Sequence, residues 1–179
     1  MKAALVLLAL MAFVCWGETV LSYHDGTPQW MTWGGTYRET WFHVEDFIPE
    51  ATEFAVGWVD VWFWEIPDQV SVEIWNGAIN PEEFLASVNI NSSQSRDATR
   101  FVFDPPVVTG PDFCCIVNTE GSSGTVKMLS DGTPGEHSYY SDDFLVWEGW
   151  TTGDYLITTG GPDPLSLQGI SWGGVKAVF

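Results

Sequence analysis

Trp62, Trp64 and Trp75, with Asp60 and Glu73 interleaved among them, are the residues whose types and spacing suit a recognisable chemistry. Flat indoles stack on the apolar faces of pyranose rings, and neighbouring carboxylates accept hydrogen bonds from sugar hydroxyls. In the stretch FAVGWVDVWFWEIPDQVSVEIW (residues 54–75), Val59, Val61 and Phe63 alternate with Asp60, Trp62 and Trp64. Val70, Val72 and Ile74 then alternate with Ser71, Glu73 and Trp75, again the period of two of a strand. Pro67-Asp68 interrupts the run with turn chemistry. Folding the chain back there sets Phe63 opposite Val72 and Val61 opposite Ile74. The expected hairpin has one aliphatic core face and one face carrying Asp60, Trp62, Trp64, Glu73 and Trp75. Two uses of that face stand side by side. It is a ligand platform, or it is covered by another strand, loop or subunit, because large apolar patches are rarely bare on a monomer.

A second constellation is the repeated tetrapeptide Asp25-Gly26-Thr27-Pro28 and Asp131-Gly132-Thr133-Pro134, with Asp142 and Asp143 following. Each copy is turn chemistry: Asp accepts a local backbone hydrogen bond and Gly allows positive φ. If the fold joins the copies, Asp25, Asp131, Asp142 and Asp143 supply oxygen ligands suited to Ca²⁺, although the spacing is not that of a known calcium loop. His24 and His137 lie beside the two turns, and His43 stands apart. Their spacing matches no zinc motif. Paired carboxylates such as Asp60 and Glu73 are the raw material of glycoside hydrolysis, but 24 acidic residues in 179 make chance pairs inevitable. Motifs of nucleophilic, zinc-dependent or phosphate-binding enzymes are lacking, so the expectation is a non-catalytic protein.

The elements that must position these residues are short strands between Gly, Pro and Asp turn signals, with no helical period. Runs at 20–23, 30–33, 36–44, 100–103, 113–118, 126–130, 138–140, 144–147, 155–159 and 175–179 join the two central ones. Residues 84–90 read as a strand or a helical turn. In 36–44, Tyr37, Glu39, Trp41 and His43 alternate with Thr36, Arg38, Thr40 and Phe42. Adjacent Cys114 and Cys115 sit in an apolar run and point to opposite faces, which predicts buried, inert thiols. The fold class that follows is all-β: an antiparallel β-sandwich of jelly-roll type.

The first residues, one Lys and then an apolar stretch ending in small residues, read as a secretory signal peptide over 1–17. Residues 18–179 then form one domain, with 162–169 its most linker-like stretch, and the protein is secreted or held at the cell surface. A formal net charge of -18 argues against nucleic acid or anionic lipid as partner. No further segment is apolar enough to insert into a membrane. Asn91-Ser92-Ser93 fits a glycosylation sequon.

Tyr23-His24-Asp25-Gly26, the Gly34-Gly35 pair, Val72-Glu73-Ile74-Trp75-Asn76-Gly77, Ser130-Asp131, Ser141-Asp142-Asp143-Phe144 and Asp154-Tyr155-Leu156-Ile157 occur in that order. Their succession of strands and turns resembles the jelly-roll modules of secreted bacterial surface proteins, of the MAM-like and cleaved-adhesin style. The resemblance implies a non-catalytic binding or adhesion unit whose partner is a glycan or other cell-surface polymer. The alternative is a structural subunit of a surface layer or filament that associates with itself.

Overall fold

The computed structural model describes residues 17–65, 67–90 and 97–162. Nearly all of the expected signal peptide and of the linker-like stretch, the sequon at 91–93 and the strand at 175–179 lie outside the described residues.

Alternation builds an all-β protein. The strands are β1 (Glu18–Leu21), β2 (Trp30–Thr32), β3 (Tyr37–His43), β4 (Phe54–Trp62), β5 (Val70–Asn76) and β6 (Glu83–Ile90). They continue with β7 (Ala98–Thr109), β8 (Asp112–Asn118), β9 (Met128–Ser130), β10 (Ser138–Ser141), β11 (Glu148–Gly149) and β12 (Ile157–Pro162). Among the described residues a four-stranded sheet runs β1-β12-β4-β7, a six-stranded sheet runs β11-β10-β3-β8-β5-β6, and β2 and β9 form a two-stranded pair. Every strand pair is antiparallel.

The core lies between the two larger sheets. Val59 and Val61 of β4, Phe101 of β7 and Ile157 of β12 meet Phe42, Val72, Ile74, Phe113 and Val117 from the other sheet, all at 0–1 % exposure. Phe54 stacks on Phe113 across the gap, ring centres 6.0 Å apart. Burying each such side chain contributes about 1.5–3 kcal/mol, so these rows hold the sheets face to face.

The expected hairpin of β4 with β5 is not formed. Beyond β4, Phe63 bridges to Met128, and the Trp64 amide donates to the Lys127 carbonyl at 2.8 Å. The chain thus leaves the four-stranded sheet and re-enters the six-stranded one. There β5 lies between β6 and β8, while β4 lies between β12 and β7. The predicted aliphatic face is correct, with Val59, Val61, Phe63, Val72 and Ile74 all at 0 % exposure. Its halves, however, oppose each other across the core.

Residues 84–90 are strand, and β7 runs on through Asp104-Pro105-Pro106, where the sequence predicts a stop. As the edge of its sheet, β7 tolerates prolines that lack an N–H, and the β4–β7 register shifts between Val56 and Trp58. Residues 144–147, expected as a strand, form a loop over the outer face of the six-stranded sheet. Phe144, at φ 65°, packs its ring 5.0 Å from Tyr37 and 4.9 Å from Trp75.

Candidate functional site

The five residues expected on one face are divided between the sheets. Asp60, on the outer side of β4, takes a bidentate ion pair from Arg100 (Nε 2.8 Å, Nη2 2.7 Å), and the guanidinium also covers the Trp58 ring at 3.7 Å. Trp62, on the same strand, meets the His24 ring edge-on at 5.5 Å. On the outer side of β5, Glu73 accepts from Trp75 Nε1 at 2.9 Å and from Asn118 Nδ2 at 2.8 Å. Trp75 is also walled by Phe84 and Phe144. Trp64 lies beyond the end of β4 and turns toward β2. The carboxylates of Asp60 and Glu73 therefore serve partners inside the protein, and no common platform joins the three indoles.

The two DGTP turns do meet. Asp131, at 1 % exposure, accepts the Asp25 amide on Oδ2 at 3.1 Å. Its Oδ1 takes the amides of Thr133 and Asp154 at 3.1 and 2.8 Å. Asp25 in turn caps Thr27 at 2.7 Å. Asp142 and Asp143 are not drawn into this knot: Asp143 caps the amides of Leu145 and Val146, and Asp142 lines a cavity beside Arg38. Among the described residues no group of three His, Cys, Asp or Glu is placed to hold a metal ion.

The histidines are likewise built into local contacts. His24 accepts the Gly26 amide on Nδ1, so its Nε2–H donates to Thr158 Oγ1 at 2.8 Å. Burial lowers its pKa against the pull of Asp131 and Asp25. His43 bonds Asp112 at 2.8 Å, which raises its pKa. His137 stacks on Tyr23.

A different grouping presents itself to solvent around β2. The Gln29 amide bonds the Ser130 carbonyl at 2.9 Å, and β2 then pairs with β9. Trp30 is left 49 % exposed at one end of β2, and Trp33, just past the other, 61 % exposed. Gly34-Gly35 returns the chain to β3. Gly35 has φ 80°, and a Cβ there would lie 2.8 Å from Tyr140 Cβ, so both backbone and space require glycine.

Cavities flank this unit. One of about 410 Å³ lies between Trp30, Trp64, Met31 and Leu129. A second, of about 300 Å³, is walled by Trp33, Tyr140, Trp150 and Tyr155, with Trp150 stacked on Tyr155 and bonded to Ser130 Oγ at 3.3 Å. A third, about 360 Å³, is polar: Trp33, Arg38, Glu120 and Asp142 share it with Thr36, Thr119 and Thr125.

Arg38 stands in the core-facing row of β3 and is 1 % exposed. Its Nε donates to the Gly34 carbonyl at 2.7 Å, and its buried Nη1 has no partner among the described residues. Burial depresses its pKa, with Tyr155 and Asp142 acting in the opposite direction. Glu39, next along the strand, faces outward yet is 0 % exposed beside Cys114. Among the described residues neither carboxyl oxygen has a nitrogen or oxygen partner, and burial, opposed by the neighbouring Cys114 thiol, pushes its pKa from 4.5 to about 9.

The arrangement around Trp33 offers an aromatic face, a cation, two carboxylates and hydroxyls around one cavity. That combination suits a polyhydroxylated ring. Sequence reasoning passed over Trp33 and Arg38. Two signals were present: a Trp set directly against Gly34-Gly35, and an Arg sharing its row with Phe42. The chain matches no family model, no curated protein and no solved structure.

Proposed function

We propose that this protein is an exported, non-catalytic binding module of jelly-roll type that holds a glycan at the β2 end of its sandwich, with Trp33 as the stacking surface. The observation that carries the reading is the exposure of Trp33, 61 %, and of Trp30, 49 %, each beside a cavity. An indole left in water forgoes the burial that stabilises the rest of the core, and exposed apolar surface of this kind marks interaction sites. Rigid support from β2, β9 and the Gly34-Gly35 turn keeps the ring oriented for stacking.

The test is retention on a panel of neutral and acidic polysaccharides by affinity electrophoresis. Trp33→Ala is expected to abolish retention without lowering the melting temperature. Retention unchanged in Trp33→Ala would remove this site from consideration.

A second reading, a self-associating surface subunit, draws on Val102 and Val108, which are 57 % and 56 % exposed on the edge strand β7. An open edge with apolar side chains is a template for pairing. Light scattering at high concentration distinguishes the two, since a monomer throughout counts against it.

A further inference from the structure

Arg38 is the feature of the site that the described residues leave without an ionic partner. Among the described residues the other two cations are ion-paired, Arg100 with Asp60 at 2.7 Å and Lys127 with Glu65 at 2.6 Å. No carboxylate among the described residues lies within the 4 Å of an ion pair from Arg38. Among the described residues its one hydrogen bond goes to the neutral Gly34 carbonyl, and its enclosed Nη1 has none. A buried charged donor without a partner is among the most unfavourable arrangements in a protein interior. This one also lines a cavity of about 360 Å³ whose rim carries Trp33.

We propose that this cavity takes an acidic sugar, a hexopyranose bearing a carboxylate, with that carboxylate paired to the Arg38 guanidinium and the ring stacked on Trp33. The inference rests on the glycan-binding reading and adds the chemical class of the sugar. A guanidinium fork matches a carboxylate in two parallel hydrogen bonds, a geometry a neutral hydroxyl does not reproduce.

Glu120 and Asp142 line the same cavity and must be reconciled with an anionic guest. Both are exposed, whereas Arg38 is buried, so their charges are screened by solvent and that of Arg38 is not. Glu120 already accepts the Tyr37 hydroxyl at 3.1 Å. As acceptors at the rim, these carboxylates suit the hydroxyls on the remainder of the ring, while the sugar carboxylate occupies the deeper position. The net charge of -18 slows the approach of an acidic polymer, but at physiological salt its field decays over about 8 Å. Contact within the cavity is then decided by Arg38.

The test is titration calorimetry of the unmodified protein with trimers of galacturonate and glucuronate, their methyl esters, and the matching neutral galactose and glucose trimers. Esterification keeps the ring and its hydroxyls and replaces the charged carboxylate by a neutral methyl ester. At least one acid trimer is expected to bind ten-fold or more tightly than its ester and its neutral counterpart. Arg38→Lys, checked for an unchanged melting temperature, is expected to erase that preference. Equal affinity for acid and ester overturns the acidic-sugar inference and leaves the glycan reading standing. Absence of binding to every trimer and polysaccharide, acidic or neutral, overturns both. Should Arg38→Lys fail to fold, the acid-against-ester comparison decides alone.

Discussion

The backbone amide of Asp25 donates to the carboxylate of Asp131 at 3.1 Å, joining the two DGTP turns across 106 positions of sequence. The same buried carboxylate holds the amides of Thr133 and Asp154. It is a structural knot that ties the segment leading into β2 to the one leading into β12.

Asp131→Ala leaves three amides without their acceptor, that of Asp154 in a buried position. A loss of about 3 kcal/mol or more is expected, since bonds to charged groups contribute more than neutral ones. Chemical denaturation measures it. Because the carboxylate is already engaged by backbone donors, millimolar Ca²⁺ is expected to leave the melting temperature unchanged. A rise of several degrees would reinstate the calcium reading of Asp25 and Asp131.

Glu39 makes stability depend on pH. Its folded-state pKa is raised from 4.5 to about 9 by burial. The protonated carboxyl therefore contributes stability that is fully present below pH 4.5 and is lost as the pH climbs through about 9. Glu39→Gln, neutral throughout, is expected to melt higher than the parent at pH 8–9 and to match it near pH 4. Parallel melting curves across that range would show that Glu39 is not buried as a neutral acid.

Gly35 sets the angle at which Trp33 leaves β2 and Arg38 enters β3. Gly35→Ala forces a side chain into the left-handed region and against Tyr140. A destabilisation of about 1–3 kcal/mol is expected. Glycan retention should weaken along with it, whereas Gly34→Ala, which meets nothing within 4 Å, is expected to be mild in both.

Cys114 and Cys115 are free and fully buried on β8, and burial raises both thiols above their ordinary pKa. Thiolates are the reactive form. Both are expected to resist a thiol reagent at pH 8 in the native protein and to react promptly in guanidinium. Rapid native labelling would contradict the packing of β8.

Much of the fold was legible because alternation reports burial directly. The aliphatic rows of β4 and β5 and the two faces of β3 follow from period two alone, and the buried thiols of β8 from the unbroken apolar run around them. The prolines at 105 and 106 misled, because a Pro stops a central strand but not the edge strand β7. The run at 144–147 misled as well, since its apolar residues include Leu145 and Val146, which are 80 % and 63 % exposed. Of the candidate site, the aromatic character was legible and the membership was not. Trp64 remains near it, whereas Trp62 and Trp75 stand on opposite outer faces of the sandwich.

What the order of residues determined by itself is which side chains turn inward. An aliphatic row needs a dry neighbour, and any dry neighbour satisfies it. Whether that neighbour sits beside the strand, bonded through its backbone, or faces it across a core about 10 Å thick leaves no mark on the row. The tertiary structure decided that β4 and β5 face each other rather than pair. In doing so it dispersed the expected indole face and brought Trp33, Arg38, Glu120 and Asp142 around one cavity.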